Sequence, residues 1–135
     1  METKEDKSMT RHAAEARGSE PGDLYQRDYY TWALEQARAL RTRRGEALDW
    51  ENLAEEVEGL ALSEERELES RLEVLLVHLL KWRYQTKKRS RSWQLTIREQ
   101  RHGVGRVLSQ NPGLKRTLSE NVVAAYEIGR IVAAR

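Results

Sequence analysis

The sequence predicts an all-α bundle of four or five helices around a central apolar helix, and three observations predict it. Apolar residues recur at helical spacing from about Asp23 onward, no stretch shows the period of two that a strand requires, and no internal repeat is visible. The segment from Leu68 to Trp82 is so apolar that it must be largely surrounded by protein: between Leu72 and Trp82 the only polar side chains are Glu73, His78 and Lys81. Leu68, Leu72, Leu75, Leu79 and Trp82 form one stripe and Val74, Leu76, Val77 and Leu80 fill its flanks, so the other amphipathic segments are expected to pack against this helix.

Taken in order, residues 1–22 read as a flexible tail, rich in charged and small residues and too poor in large apolar ones to offset the entropy of ordering. His12 is excluded from any site for that reason. Residues 23–135 are expected to form a single helical domain. The first helix is predicted from Asp23 as N-cap to about Arg43, with Tyr25, Tyr29, Trp32, Ala39 and Leu40 on its apolar face and Gly45 available to end it. Asp49 is the next predicted N-cap, opening a helix with Trp50, Leu53, Ala54, Val57, Leu60 and Ala61 on one side. Ser63 can cap a new start; a continuous helix through Gly59 is possible, but a bend or short break near Leu62 is the favoured expectation.

The central helix then runs to about Tyr84. A basic loop follows, with Ser90 or Ser92 able to cap the next helix, which carries Trp93, Ile97, Val104 and Leu108 and is weakened by Gly103 and Gly105 unless they serve close packing or a kink. Asn111-Pro112 reads as cap and first residue of a last helix bearing Leu114, Leu118, Val122, Ala125, Ile128 and Val132.

Composition narrows the function classes. With no cysteine there is neither a disulfide framework nor a thiolate metal site, which fits a reducing cytoplasm. No secretory signal or membrane span is expected, because the apolar runs are too short. The formal net charge of +2 hides two opposed blocks. Glu46 to Glu73 carries eleven acidic residues against two arginines, a net −9, and Lys81 to Arg101 carries eight basic residues against one acid, a net +7. Two solvated helix faces that partly neutralise each other are the preferred reading; the other is an acidic and a basic patch facing different partners.

Two groups of candidate site residues follow. Lys81, Lys87, Lys88, Arg89, Arg91 and Arg101 form a basic surface, interleaved with Trp82, Tyr84 and Trp93, that would meet an acidic partner. A protein partner ranks ahead of nucleic acid, since no recognised nucleic-acid motif is present, and a homo-oligomer is open. Asp28, Glu56 and His78 are polar residues beside apolar stripes and would make an interior cluster if the helices bring them together. Such groups usually find structural hydrogen-bond partners. The alternative is a small enzyme or metal-binding protein that uses them, although no second histidine stands at a metal-ligand spacing. No cofactor and no catalytic residue are expected.

Four motifs also carry a family resemblance. Leu24-Tyr25-x-x-Asp28-Tyr29-x-x-Trp32, Asp49-x-x-Asn52-Leu53-Ala54-Glu55-Glu56-Val57-Glu58, His78-Leu79-Leu80-Lys81-Trp82 and Ser90-x-Ser92-Trp93-x-x-Thr96-Ile97-x-x-Gln100-Arg101 occur in that order. In this the chain, from about Leu24 onward, resembles the bacterial domain-of-unknown-function family numbered twenty-nine. The resemblance implies an all-helical bacterial domain and brings no activity, ligand or catalytic residue with it. The N-terminal tail is extra, and Gly103-Val104-Gly105 stands where members of that family tend to carry ordinary helix formers.

Overall fold

The computed structural model describes residues 21–135, so the expectations placed on residues 1–20, His12 among them, lie outside the described residues. The described chain holds five α-helices and no strand: α1 (Pro21–Arg27), α2 (Tyr29–Arg41), α3 (Trp50–Tyr84), α4 (Arg91–Gln110) and α5 (Leu118–Ala133). Single 3₁₀ segments at Gly45–Ala47, Thr86–Lys88 and Pro112–Thr117 make the connections after α2, α3 and α4. The fold is an all-α bundle, as the periodicity predicts. The chain divides into two compact units between Gly59 and Leu60, inside α3.

In the first unit the predicted Asp23–Arg43 helix is two helices, broken at Asp28. The Asp28 backbone is extended, at φ −150° and ψ 81°, and its carboxylate accepts from the Thr31 amide (3.0 Å) and the Thr31 hydroxyl (2.7 Å). An aspartate three residues before a threonine offers the backbone a local cap in place of a helical turn, and here the cap wins.

The end of α2 also differs from expectation. Arg43 takes the left-handed conformation (φ 57°), and no glycine has a positive φ among the described residues. The Arg44 amide donates to the Ala39 carbonyl (2.9 Å) and the Arg43 amide to that of Leu40 (3.2 Å), the paired bonds of a Schellman ending. Gly45 comes two residues too late to serve. An L-residue at that position costs about 1–2 kcal/mol, part of which glycine gives back through unfolded-chain entropy. Arg43→Gly is therefore expected to stabilise the protein by about 0.5–1 kcal/mol, read as a higher denaturation midpoint at unchanged slope.

The turn from α2 to α3 is held by buried side chains. Trp32 is 2 % exposed and its indole Nε1 donates to Asp49 Oδ2 (3.0 Å), which also accepts from the Asn52 side-chain amide (2.8 Å). Gln36, 4 % exposed, accepts from the Asp49 backbone amide (2.7 Å) and donates to the Ala47 carbonyl (3.5 Å), so the loop's polar backbone is satisfied where it leaves water. Asp49 precedes α3 as expected, and its carbonyl accepts the bond from Leu53 (2.9 Å).

From Trp50 to Tyr84, α3 runs without interruption. The bend expected near Leu62 is absent. Gly59 and Ser63 each disfavour helix by at most about 1 kcal/mol, and the leucines, alanines, glutamates and arginines around them outweigh that.

In the second unit the later part of α3 packs against α4 and α5. Leu68, Leu72, Val107 and Ala125 form the buried centre, with Leu76, Val104, Leu108, Leu114, Leu118 and Val122 packed against it. Gly103 is buried under the Arg71 side chain, and a methyl group there would run into the guanidinium. Gly103 thus serves close packing, one of the two roles that sequence left open for it. Arg71 is held in place by Glu67 (3.0 Å) and by Gln100 (3.3 Å).

The last helix departs from expectation twice. Asn111 does not cap it; the Asn111 side-chain amide donates to Glu64 (2.9 Å) and to the Val107 carbonyl (3.0 Å), and Pro112 opens a 3₁₀ segment that delays α5 to Leu118. Its buried face is Asn121, Ala125, Gly129 and Ala133, while Ile128, expected inside, is 49 % exposed. A side chain at Gly129 would sit 3.5 Å from Leu76 and 3.7 Å from Val77, so small residues face α3 and the larger Ile128 is turned outward.

Candidate binding surface

The basic segment begins where α3 ends. Gln85 leaves the helix and its side-chain amide donates to the Ala133 carbonyl (3.0 Å), tying the chain to the end of α5. Arg89 folds back: its Nε donates to the Trp82 carbonyl (2.7 Å) and its guanidinium lies 5.0 Å from the centre of the Trp82 ring. A cation here answers the free carbonyls and the negative end of the α3 dipole. Ser90 then caps α4, accepting from the Trp93 amide (3.2 Å), and so selects between the two serines that sequence left open. The cap sets Trp93 against α3, with the Lys81 ammonium 5.6 Å from its ring centre.

Lys87, Lys88, Arg89, Arg91 and Arg101 are exposed and Lys81 is half-buried. None of the six forms an ion pair among the described residues, whose ion pairs involve Arg27, Arg44, Arg71, Arg106 and Arg130. No ion pair joins the acidic block to the basic one. The acids of α3 take other donors instead: Glu56 the Tyr25 and Tyr29 hydroxyls, Glu64 the Asn111 amide, Glu65 and Glu69 the Asn121 amide. The two blocks are thus solvated faces, as the preferred reading has them, with no direct ion pair between them. Sequence reasoning also missed a cavity of about 190 Å³ lined by Leu79, Trp82, Gln94, Ile97 and Arg101, which joins an apolar floor to one of these cations.

The polar trio meets separate partners. Asp28 caps α2 through Thr31, and those two bonds hold its carboxyl below its ordinary range. Nδ1 of His78 lies 2.8 Å from the Val74 carbonyl, one turn back on its own helix. Glu56 accepts from both Tyr25 and Tyr29, whose rings pack edge-on and stacked, respectively, against Trp32. No hydrogen bond joins two of the three residues, and Glu56 belongs to the first unit while His78 belongs to the second. Among the described residues no group of three or more His, Asp or Glu side chains is placed to hold a metal ion.

The tyrosine bonds make the first unit sensitive to pH at both extremes. The two hydroxyls hold the Glu56 carboxyl below its ordinary range; the bond to Glu56, then burial, push Tyr25 up to about 12, and the same causes raise Tyr29. A depressed carboxyl contributes stability that is complete above its unfolded value of about 4.3 and is lost as pH falls through the folded value. A raised phenol contributes stability that is complete below about 10 and is lost as pH rises through the folded value. In urea unfolding across pH, the deficit of Glu56→Gln relative to wild type is expected at neutral pH and should shrink towards pH ~3. An undiminished deficit in acid would show that ionised Glu56 is not the group responsible.

The described residues thus define a class: an all-helical domain built on one long helix, with a run of exposed cations in no ion pair after that helix's C-terminal end. More particularly, the chain belongs to the family described as domain of unknown function DUF29, whose model matches residues 24–135. No curated protein and no solved structure matches the chain. No helix among the described residues is long and apolar enough to cross a membrane.

Proposed function

We propose that the protein is a non-catalytic binding module that meets an acidic protein partner through Lys81, Lys87, Lys88, Arg89, Arg91 and Arg101. The observation that carries this reading is the absence of any carboxylate partner for these six cations among the described residues, in a chain with 22 acidic side chains. Charges left unpaired at such density are poised to attract an oppositely charged surface.

The two tryptophans of the segment favour protein over nucleic acid. Trp82 and Trp93 are half-buried and each already carries a cation of this chain near its ring, so their faces are not free to stack on bases. The test is retention on heparin at low salt, followed by titration with polyglutamate and with single-stranded RNA. Replacing Lys87, Lys88, Arg91 and Arg101 together by Ser, while sparing Arg89 for its bond to the Trp82 carbonyl, is expected to abolish retention and leave the helix content unchanged. Retention that survives those four changes would remove the surface from consideration; binding of RNA but not of polyglutamate would reverse the choice of partner.

A further inference from the structure

The first turns of α3 carry a face that the first unit leaves uncovered. Trp50, Ala54 and Val57 follow one another at i, i+4 and i+7, and all are exposed, Trp50 to 66 % and Val57 to 62 %. Beside this stripe Glu51, Glu55 and Glu58 repeat the same spacing one position on, exposed and in no hydrogen bond or ion pair among the described residues. A large apolar stripe rimmed by charge on an ordered helix marks a contact surface.

The second unit holds a cleft of opposite character. Between the C-terminal ends of α3 and α5, Leu80, Tyr84, Tyr126 and Ala133 line a hollow of about 300 Å³. It shares Tyr84, Gln85 and Ala134 with a second hollow of about 480 Å³ bordered by Lys87 and Lys88. Tyr84 is 70 % exposed at the lip. No carboxylate side chain lines either hollow, and the one rim cation with an acidic partner is Arg130, held 3.2 Å from Glu127. One face offers a tryptophan and a valine among unpaired glutamates. The other offers an apolar hollow next to one bordered by two lysines that form no ion pair among the described residues.

We infer that these two surfaces are made for each other in different copies of the chain: the acidic, tryptophan-bearing face of α3 docks on the basic, tyrosine-lined cleft of a second copy. The inference rests on reading the basic segment as a surface for an acidic protein partner, and it names that partner. Charge complementarity sets the orientation, and burial of Trp50 and Tyr84 supplies affinity that charge alone would lose to salt. Because the two patches differ, the contact is heterologous. Each copy that docks leaves one patch of either kind open, so association continues beyond two copies unless the arrangement closes on itself.

Sedimentation velocity of the full chain tests this. In low salt, raising the concentration from about 1 to about 200 μM should at least double the weight-average mass, and salt near 0.5 M should return most of it to monomer. Glu51→Lys/Glu55→Lys/Glu58→Lys should be monomeric, as should Lys87→Glu/Lys88→Glu, yet an equimolar mixture of the two should associate, which neither could do if it were unfolded. Tyr84→Ser, which changes no formal charge at neutral pH, should weaken association about tenfold, equivalent to ~1.4 kcal/mol. A chain monomeric at every concentration, association that survives both charge reversals, a mixture that stays monomeric, or a Tyr84→Ser variant that assembles like wild type would each overturn the inference. Heparin retention is read separately, so a monomeric protein still retained there would sink self-association and leave the basic surface standing.

Discussion

Leu68→Ala is expected to lower the unfolding free energy by about 2–5 kcal/mol, the cost of a cavity at a site that cannot collapse. Leu68 has no solvent exposure and sits at the centre of the second unit, where α3 meets Val107 of α4 and Ala125 of α5. The partners cannot easily move in to fill the space. Ala125 has no further atoms to offer, and at Gly129, one turn on, an added methyl group would already lie 3.7 Å from Val77. Leu79→Ala is expected to cost less, because Leu79 is only partly buried and lines a cavity that already exists. Urea unfolding of the two variants gives the comparison. A Leu79→Ala effect equal to or above that of Leu68→Ala would mean that the centre of the core lies nearer the end of α3.

That centre was legible in the sequence because Leu68, Leu72 and Leu75 repeat at helical spacing inside a run with few polar interruptions, and all three are buried. Periodicity identified the start of that face, but Leu79 and Trp82 further along the stripe are only half-buried, while Val77, on the expected flank, is buried. It could not say what covers a face. Trp50, Leu53, Ala54, Val57 and Leu60 repeat just as regularly, yet Trp50, Val57 and Leu60 are 66 %, 62 % and 70 % exposed. The same pattern that meant core at one end of α3 means open surface at the other, and only coordinates distinguish the two.

Misread boundaries share a different cause. Local preference predicts one helix through Asp28 and a cap at Asn111, and in each case a particular side-chain hydrogen bond decides otherwise: the Thr31 amide donating to Asp28 ends one helix and begins another, and the Asn111 amide donating to Glu64 draws the side chain away from the helix it is expected to cap. Arg43 adopts the left-handed turn that a glycine two residues later was expected to supply. Ile128 was placed inside because it is large and apolar, whereas the approach of α5 to α3 selects small residues. The candidate site follows the same logic. A polar residue beside an apolar stripe announces that it needs a partner, and Asp28, Glu56 and His78 do have partners, but nothing in their spacing says which. Gln36 and Asn121 escaped notice, although a polar residue one turn after Trp32, or between Leu118 and Val122 on an otherwise apolar face, was the available signal.

Asn121 carries the other large effect. It is 3 % exposed, and its side-chain amide donates to Glu69 (2.7 Å) and to Glu65 (3.1 Å), while its carbonyl oxygen accepts from the Thr117 hydroxyl (3.0 Å). One amide thus satisfies two carboxylates of α3 from the buried face of α5. Asn121→Ala removes the donor and is expected to cost about 1–3 kcal/mol. Asn121→Asp keeps the shape but sets a buried carboxylate against two half-buried ones. At neutral pH it is expected to cost about 3–5 kcal/mol, as for a buried charge without its partner. The sign of its pH dependence follows from the same geometry: burial and like charges raise the folded pKa of the introduced carboxyl above the unfolded value of about 3.9, so the deficit should shrink as pH falls through the folded value. Denaturant unfolding of wild type and both variants between pH ~5 and ~8 reads this directly. An Asn121→Asp protein no less stable than Asn121→Ala, or one whose deficit grows on acidification, would show that the two glutamates do not converge on residue 121 as the structure places them.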